Sequence, residues 1–236
     1  MVTCRAARLR YSRSMPGDQA LIQIVDAALA EAARKSGPWL VCRPGCTGCC
    51  MGPFPITQLD ARRLREGLAK LESCDGGRAA GVRERARQAV ARIWPEFPGD
   101  TATGVLREDE EAEEQFAALA DDQPCPALDP ATGTCDLYAA RPITCRIFGP
   151  PVRCGSEAVG VCELCFQGAS DQEIADCQVE IDPWGLESRL SDELERTTGA
   201  RGQTIVAFAL VTAGASYDST SRTLAASCAG ENGLGR

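Results

Sequence analysis

Apolar residues recur every three or four positions in several stretches of this chain, which is the spacing of the buried face of a helix. The first such stretch covers residues 18–36, where Asp18 can cap the helix and a Ser-Gly-Pro sequence ends it. A second begins at Thr57, and Asp60 three residues later completes the sequence of a capping box. A third covers about 78–94 and ends at a proline. These patterns predict three helices in the first part of the chain.

Three more helical segments are predicted in the remainder of the chain. The acidic stretch 107–122 has the composition of a helix with a solvated face. Residues 170–181 begin with Ser170 and Glu173, which again match a capping box, and the segment 186–197 ends before a glycine. Neither an internal repeat nor a convincing series of strands interrupts this pattern. The sequence therefore predicts a mainly α fold.

Two stretches rich in Gly, Pro and Cys separate the predicted helices. One follows the first helix and the other covers 124–168, and both lack the periodicity of regular structure. We therefore expect a mainly α, small and irregular α-rich single domain with two Cys-rich loops tied together by metal. Its expected organisation is a polar tail at 1–17, a cysteine-cluster metal-binding domain at 18–182, and a C-terminal helical extension with a loose tail at 183–236.

Charge and hydropathy argue against two classes of partner. Lys and Arg number 25 against 33 Asp and Glu, so the net charge is −8 and a nucleic-acid binder of the usual basic kind is not expected. The longest apolar run, at 204–215, is too short to span a bilayer, and no apolar stretch follows the arginines near the N-terminus as in a secretory signal. We therefore predict a cytoplasmic protein with no nucleic-acid and no membrane partner. Met15 is an alternative start of the chain, which would leave out Cys4.

The unusual feature of the composition is 14 cysteines and no histidine. Disulfides, a buried apolar patch and a soft metal are the competing explanations. Disulfides need an oxidising compartment, whereas clustered cysteines in a cytosolic protein more often bind metal or act in catalysis. Short gaps such as those in "CRPGCTGCC" and "CELC" let two thiolates reach one ion, which is why they recur in zinc and iron–sulfur sites. The candidate metal ligands are Cys42, Cys46, Cys49, Cys50, Cys125, Cys135, Cys145, Cys162 and Cys165.

Cys49 and Cys50 are adjacent, which restricts how both can serve as ligands. In extended backbone neighbouring side chains point to opposite sides, so the two can hardly bind one mononuclear tetrahedral ion. Either they serve two different metals, or one is a ligand and the other packs beside it. The thiols of the two loops would also suffice for two four-cysteine sites, so a polynuclear centre stays open.

The absence of histidine excludes Ser–His and Cys–His catalysis and the His-based catalytic zinc sites. All-thiolate ligation favours structural zinc or an iron–sulfur cluster, because soft ligands select these metals. Four thiolates around a divalent ion leave about two net negative charges. Arg43, Arg141 and Arg146 lie beside candidate ligands in the sequence and could offset this charge, although a plain surface position is an equal alternative for Arg43.

The remaining cysteines are expected to have other roles. Cys177 shares a predicted helical face with apolar residues and fits a small core position. Cys74 lies at a predicted helix end and Cys228 lies in the loose tail, so both are expected to be incidental thiols. Cys154 is equally compatible with a ligand and with an incidental thiol.

The two loops together resemble the bacterial cysteine-cluster proteins of the YkgJ type, which are described as zinc- or iron-chelating domains. Their CxxCxxCC element corresponds to the first loop, except that three residues rather than two separate Cys42 from Cys46. The resemblance covers roughly 38–168 and implies chelation of zinc or iron, as an ion or as an iron–sulfur cluster, without a defined reaction. A second pattern of this family is matched by Cys125, Leu128, Asp129, Gly133, Cys135, Tyr138, Arg141, Pro142, Cys145 and Arg146.

Two other functions stay open beside metal binding. Similar cysteine clusters occur in flagellin lysine N-methylases, and Cys42, Cys46 and Cys49 have the spacing of a radical S-adenosylmethionine cluster, which together suggest an iron–sulfur enzyme. Against this, Gly48 stands where such enzymes usually carry an aromatic residue, and no barrel of βα units is predicted. The third alternative is a redox or metal sensor.

Overall fold

The computed structural model describes residues 17–119, 122–155 and 157–211. The predicted polar tail, apart from its last residue, and the predicted loose tail beyond residue 211 lie outside these ranges, as do Cys4 and Cys228. The division of the chain into three segments therefore stays a prediction.

Eight α-helices provide most of the regular structure in the described residues, so the mainly α prediction is confirmed. The helices are α1 (Gly17–Ser36), α2 (Gln58–Cys74), α3 (Gly76–Ile93), α4 (Glu110–Ala117), α5 (Ile143–Ile147), α6 (Asp171–Cys177), α7 (Leu186–Thr198) and α8 (Val206–Val211).

Two helix starts follow the predicted capping residues. The Thr57 hydroxyl accepts a hydrogen bond from the Asp60 backbone N–H at 3.1 Å and begins α2. Ser170 and Glu173 form a complete capping box at the start of α6. The acidic helix α4 is shorter than the predicted 107–122, because the Asp109 carboxylate caps it by accepting from a backbone N–H of its first turn. Local capping chemistry thus sets where these helices begin.

The strands are only two or three residues long, too short for an alternating pattern to reveal them in the sequence. They form two-stranded antiparallel pairs, except for a three-stranded sheet in which the third strand runs parallel to the central one. The strands are β1 (Pro55–Thr57), β2 (Gly99–Asp100), β3 (Val105–Leu106), β4 (Leu128–Asp129), β5 (Thr134–Cys135), β6 (Val152–Cys154), β7 (Glu157–Val159), β8 (Val179–Glu180) and β9 (Gln203–Ile205).

The main apolar core lies between α2, α3 and α8. It includes Leu64, Val82 and Leu210, one from each helix. The antiparallel pair β1–β9 extends this core through the buried side chain of Ile56, while Ile205 packs in a separate buried cluster with Ile93 and Phe208. Burying each such side chain stabilises the fold by about 1.5–3 kcal/mol. The segment that begins α2 and the segment that begins α8 are therefore held together by packing as well as by strand pairing.

A second core surrounds α1, and it supports the region that carries several cysteines. Leu21 and Val25 of α1 are fully buried and pack with Ile143 of α5 and Val152 of β6. The short elements in the second half of the chain thus rest on a long amphipathic helix. None of the helices in the described part of the chain is both long enough and apolar enough to cross a membrane.

Candidate metal centre

The first cysteine-bearing loop, residues 40–54, connects the end of α1 to β1. A 3₁₀ turn at 48–50 shapes its centre, where the Cys50 backbone N–H donates to the Thr47 carbonyl at 2.8 Å. Cys49 and Cys50 therefore lie in a helical turn, in which successive side chains are about 120° apart. The argument from extended backbone, which places the two side chains on opposite sides, does not apply here.

The second loop, residues 124–168, is joined to the first loop by backbone hydrogen bonds. The Cys125 backbone N–H donates to the Cys50 carbonyl at 2.7 Å, and the Gly52 N–H donates to the Gln123 carbonyl at 2.8 Å. The hairpin β4–β5 then reverses the direction of the chain. Cys125 lies just before its first strand, and Cys135 lies in its second strand. Backbone hydrogen bonding thus brings Cys125 beside Cys50, which is 75 positions earlier.

Five thiols are close enough to influence one another in this region, and we call them the inner cysteine group. A hydrogen bond with Cys50 lowers the pKa of the Cys49 thiol to about 6, and the same bond raises the pKa of Cys50. Burial raises the pKa of Cys125 to about 12 and also raises the pKa of Cys145, with repulsion between neighbouring thiolates as a further cause. The members of the inner cysteine group are Cys49, Cys50, Cys125, Cys135 and Cys145.

Four other thiols form a second group, which we call the outer cysteine group because it contains the first and last candidate ligands along the chain. Its members are Cys42, Cys46, Cys162 and Cys165. Cys42 Sγ lies 3.8 Å from Cys165 Sγ, although 123 positions separate them. The pKa of Cys42 is raised to about 12, mainly by burial and in addition by repulsion from the neighbouring thiolates Cys165, Cys162 and Cys46. The Cys165 N–H donates to the Cys162 carbonyl at 2.8 Å, which forms the tight turn of the C-x2-C segment.

Gly149 joins the two halves of the outer cysteine group. Its carbonyl accepts a hydrogen bond from the Cys162 N–H at 3.4 Å. Its backbone φ is +122°, and a Cβ at this position would lie 3.0 Å from Cys42 Sγ. Only a residue without a side chain leaves room for the sulfur at this point. No local sequence pattern indicates this role of Gly149.

The thiols suit zinc or iron in chemistry, and one pair suits them in spacing. Two sulfurs that are each about 2.3 Å from a tetrahedral ion are about 3.8 Å apart, which matches the separation of Cys42 Sγ and Cys165 Sγ. Within 17–119, 122–155 and 157–211, however, no group of three or more Cys, Asp or Glu side chains converges closely enough to hold an ion. A bound metal therefore requires the remaining sulfurs of a group to move inward. The assignment of the nine cysteines as ligands stays a prediction.

Arg146 is a structural residue in the present fold. Its Nη1 donates to Asp26 Oδ1 at 2.7 Å, and its Nη2 donates to the Ala139 carbonyl at 2.6 Å. Its side chain is only 5% exposed, while that of Asp26 is half exposed. These bonds fix α5 against α1, so that Arg146 positions the helix that carries Cys145.

Arg141 is an arginine whose charge acts on thiols of the inner cysteine group, as that of Arg85 does on Cys125. The Arg141 guanidinium lowers the pKa of Cys49 and opposes the rise in the pKa of Cys135. The guanidinium lies 4.0 Å from the centre of the Tyr138 ring, and its Nε is buried without a hydrogen-bond partner among the described residues. Arg43 is exposed, as its surface alternative anticipated.

Asp60 contributes to the site in a way that sequence reasoning missed. It is 1% exposed, it pairs with Arg63, and its Oδ1 accepts a hydrogen bond from the Ile143 N–H at 3.1 Å. Ile143 is the first residue of α5, two positions before Cys145. The capping-box pattern identified only the backbone of Asp60, and the sequence carries no local signal for a contact with residue 143.

Two cysteines of the second half of the chain lie apart from these groups in role or position. Cys177 is buried among apolar residues, and its Sγ donates to the Lys35 carbonyl at 3.4 Å, so the predicted core position is confirmed. Cys154 lies at the end of β6 and is exposed.

A family model matches residues 41–165, which include all nine candidate cysteines. The family is CxxCxxCC, described as a "putative zinc- or iron-chelating domain". No curated protein and no solved structure matches the chain.

Proposed function

The chain belongs to the CxxCxxCC family of zinc- or iron-chelating domains, and from this premise we propose that its cysteine thiolates bind the metal. The family match supports metal binding in general, and the ligands are our own assignment. They are the thiolates of the outer cysteine group and of the inner cysteine group. Zinc or iron would supply a positive centre that offsets part of the charge of these thiolates and links the two loops.

The observation that carries this proposal is the 3.8 Å separation of Cys42 Sγ and Cys165 Sγ. It joins the two loops through the atoms that ligate soft metals, at the spacing of two ligands on one tetrahedral ion. The remaining residues of the site have supporting roles. Arg141 offsets thiolate charge near Cys49, and Asp60 holds the start of the helix that carries Cys145.

The arrangement of the thiols favours a binding role over an iron–sulfur enzyme of the radical type. A radical S-adenosylmethionine enzyme needs Cys42, Cys46 and Cys49 on one cluster that leaves an iron open. Here Cys42 Sγ lies beside Cys165 Sγ, while Cys49 belongs with Cys50 to the inner cysteine group. A sensor would use the same ligands and differ only in how metal or oxidant changes a partner's binding.

Metal analysis of protein purified without oxygen tests the proposal, together with visible absorption. We expect bound zinc or iron in the wild type and a clear loss of it in Cys165→Ser. Cys177→Ser is the matched control, since Cys177 is buried in the same apolar cluster as Cys165. The serine hydroxyl can donate to the Lys35 carbonyl in place of the thiol. Strong visible charge-transfer bands would identify an iron–sulfur cluster, and colourless protein with zinc would identify a structural ion. Wild-type protein without metal would contradict the proposal.

A further inference from the structure

The candidate ligands divide along the chain in a nested order. Cys42 and Cys46 come first and Cys162 and Cys165 come last, and these two pairs form the outer cysteine group. Every member of the inner cysteine group lies between them in sequence. The "CRPGCTGCC" segment is therefore split between Cys46 and Cys49, although sequence spacing alone presents it as one motif.

The outer cysteine group is built from two short-gap pairs, which is the arrangement that gives four ligands to one ion. The C-x3-C pair supplies Cys42, and the C-x2-C pair supplies Cys165 at 3.8 Å from it. Gly149 fixes both pairs, since its carbonyl binds the Cys162 N–H and its missing side chain makes room for Cys42 Sγ. No member of the inner cysteine group takes part in these contacts.

The inner cysteine group is held by different structural elements. The Cys125 N–H is bonded to the Cys50 carbonyl at 2.7 Å, and Cys125 and Cys135 both pack against the core between α2, α3 and α8. Cys145 is placed by α5, which Asp60 and Arg146 anchor. The outer cysteine group instead adjoins a separate small cluster of Cys165, Phe166 and Trp39. The two groups thus rest on separate packing units.

We propose that this chain holds two separate metal centres, one in the outer cysteine group and one in the inner cysteine group. The inference rests on the proposed function, and it adds the number of centres and their ligand sets. The outer centre takes all four thiols of its group. The inner group offers five thiols, so one of them stays beside the metal rather than on it if the ion is tetrahedral. Cys49 and Cys50 then belong to the same centre.

Zinc titration of reduced, metal-free protein tests the inference, with zinc alone as the probe. We expect two equivalents of tightly bound zinc in the wild type. The double variant Cys42→Ser, Cys165→Ser should bind one equivalent, because it leaves the inner cysteine group unchanged. The double variant Cys49→Ser, Cys135→Ser should also bind one, now in the outer cysteine group. Cys177→Ser should bind two.

Helical circular dichroism of each variant shows whether it is folded, and cobalt provides a second measurement. Each centre that keeps its thiolates should give thiolate-to-cobalt charge-transfer absorption, so either double variant should show about half of the wild-type intensity. If the wild type binds one equivalent and both double variants bind none, one shared centre exists; the inference is then wrong while the proposed function stands. If the wild type binds no zinc and no cobalt, the proposed function fails as well.

Discussion

At the scale of single residues, Gly149 shows how closely the outer cysteine group is packed. Its φ of +122° belongs to a region that residues with side chains rarely adopt. A Cβ at this position would lie 3.0 Å from Cys42 Sγ and 3.2 Å from Leu40 Cδ1. The positive φ and the short contacts both oppose any larger residue. The contact with Cys42 Sγ acts directly on a candidate ligand.

Gly149→Ala should therefore displace Cys42 Sγ and weaken the outer centre. We expect the zinc content of the purified protein to fall from two equivalents toward one. Gly168→Ala is the matched control, since Gly168 also has a positive φ, of +80°, but a Cβ there would meet nothing within 4 Å. Both variants incur backbone strain, but only Gly149→Ala also crowds Leu40 Cδ1 and makes the contact with Cys42 Sγ. Equal metal content in the two variants would show that this contact does not matter.

The short spacings of the cysteines could be read from the sequence, but their partners could not. A C-x2-C segment has a local geometry, so Cys162 and Cys165 were predictable as a pair. The approach of Cys165 to Cys42 depends on how loops far apart in sequence are packed. Arg146 illustrates the same limit. Its position next to Cys145 suggested charge compensation, whereas the fold turns it toward Asp26.

At the scale of elements, the start of α7 concentrates negative charge beneath α2. The Asp182 carboxylate caps this helix by accepting from the Leu186 and Glu187 backbone N–H groups, both at 2.9 Å. The pKa of Glu187 is raised to about 7, mainly by burial and in addition by the charges of Asp60, Asp182 and Asp18, against the opposing effect of Arg63. The first turn of α7 thus contains a carboxyl group that resists ionisation.

Glu187→Gln should stabilise the protein at alkaline pH and change little at acidic pH. The folded-state pKa of about 7 exceeds the ordinary value of 4.5, so the folded state binds the proton more tightly. Stability from this group is fully present below pH 4.5 and is lost as the pH rises through 7. One pKa unit corresponds to about 1.4 kcal/mol, which makes the loss at pH 8 about 3 kcal/mol.

Urea unfolding of reduced, metal-free protein at pH 4.5 and pH 8 measures this effect without a contribution from metal release. Glu187→Gln should have a higher free energy of unfolding than the wild type at pH 8 only. Glu195→Gln is the control, since Glu195 is exposed on the same helix and its substitution should change stability by less than about 0.5 kcal/mol. The same difference at both pH values would contradict the role of ionisation.

The helices were largely predictable, because periodicity and capping residues act locally. Thr57 and Ser170 each cap a helix as their sequence patterns indicate. The short strands were not predictable in the same way. The pair β1–β9 joins residues 55–57 to 203–205, and its register is set by the packing of Ile56 and Ile205 rather than by any local pattern.

At the scale of the whole molecule, two kinds of stabilisation occupy different regions. The core between α2, α3 and α8 consists of apolar side chains and needs no ligand. Outside the small cluster around Phe166, the two loops bury the aliphatic side chains Ala127, Leu137, Ile143 and Val152 against the helical cores, and most of their other residues are at least partly exposed. Chains of this composition bury too little surface to offset the entropy of ordering, and metal ligation can supply the difference.

Metal removal should therefore loosen the loops and leave the helical core. We expect chelator-treated, reduced protein to keep most of its helical circular dichroism. Amide hydrogen exchange should accelerate in 40–54 and 124–168 but remain slow in α2 and α3. Protection that stays equal in the loops with and without metal would show that the metal does not order them.

The nested order of the proposed ligands also implies an order of assembly during synthesis. The inner cysteine group is complete once Cys145 has emerged, whereas the outer cysteine group waits for Cys165, twenty positions later. At about 5–20 residues per second this interval lasts about 1–4 s. Loop-closure entropy barely alters the sequence of events, since doubling a loop costs only about 0.6 kcal/mol. Cys42 and Cys46 are thus the first candidate ligands to appear and among the last to meet their partners, and for those seconds the nascent chain carries an open pair of sulfurs beside a complete inner cysteine group.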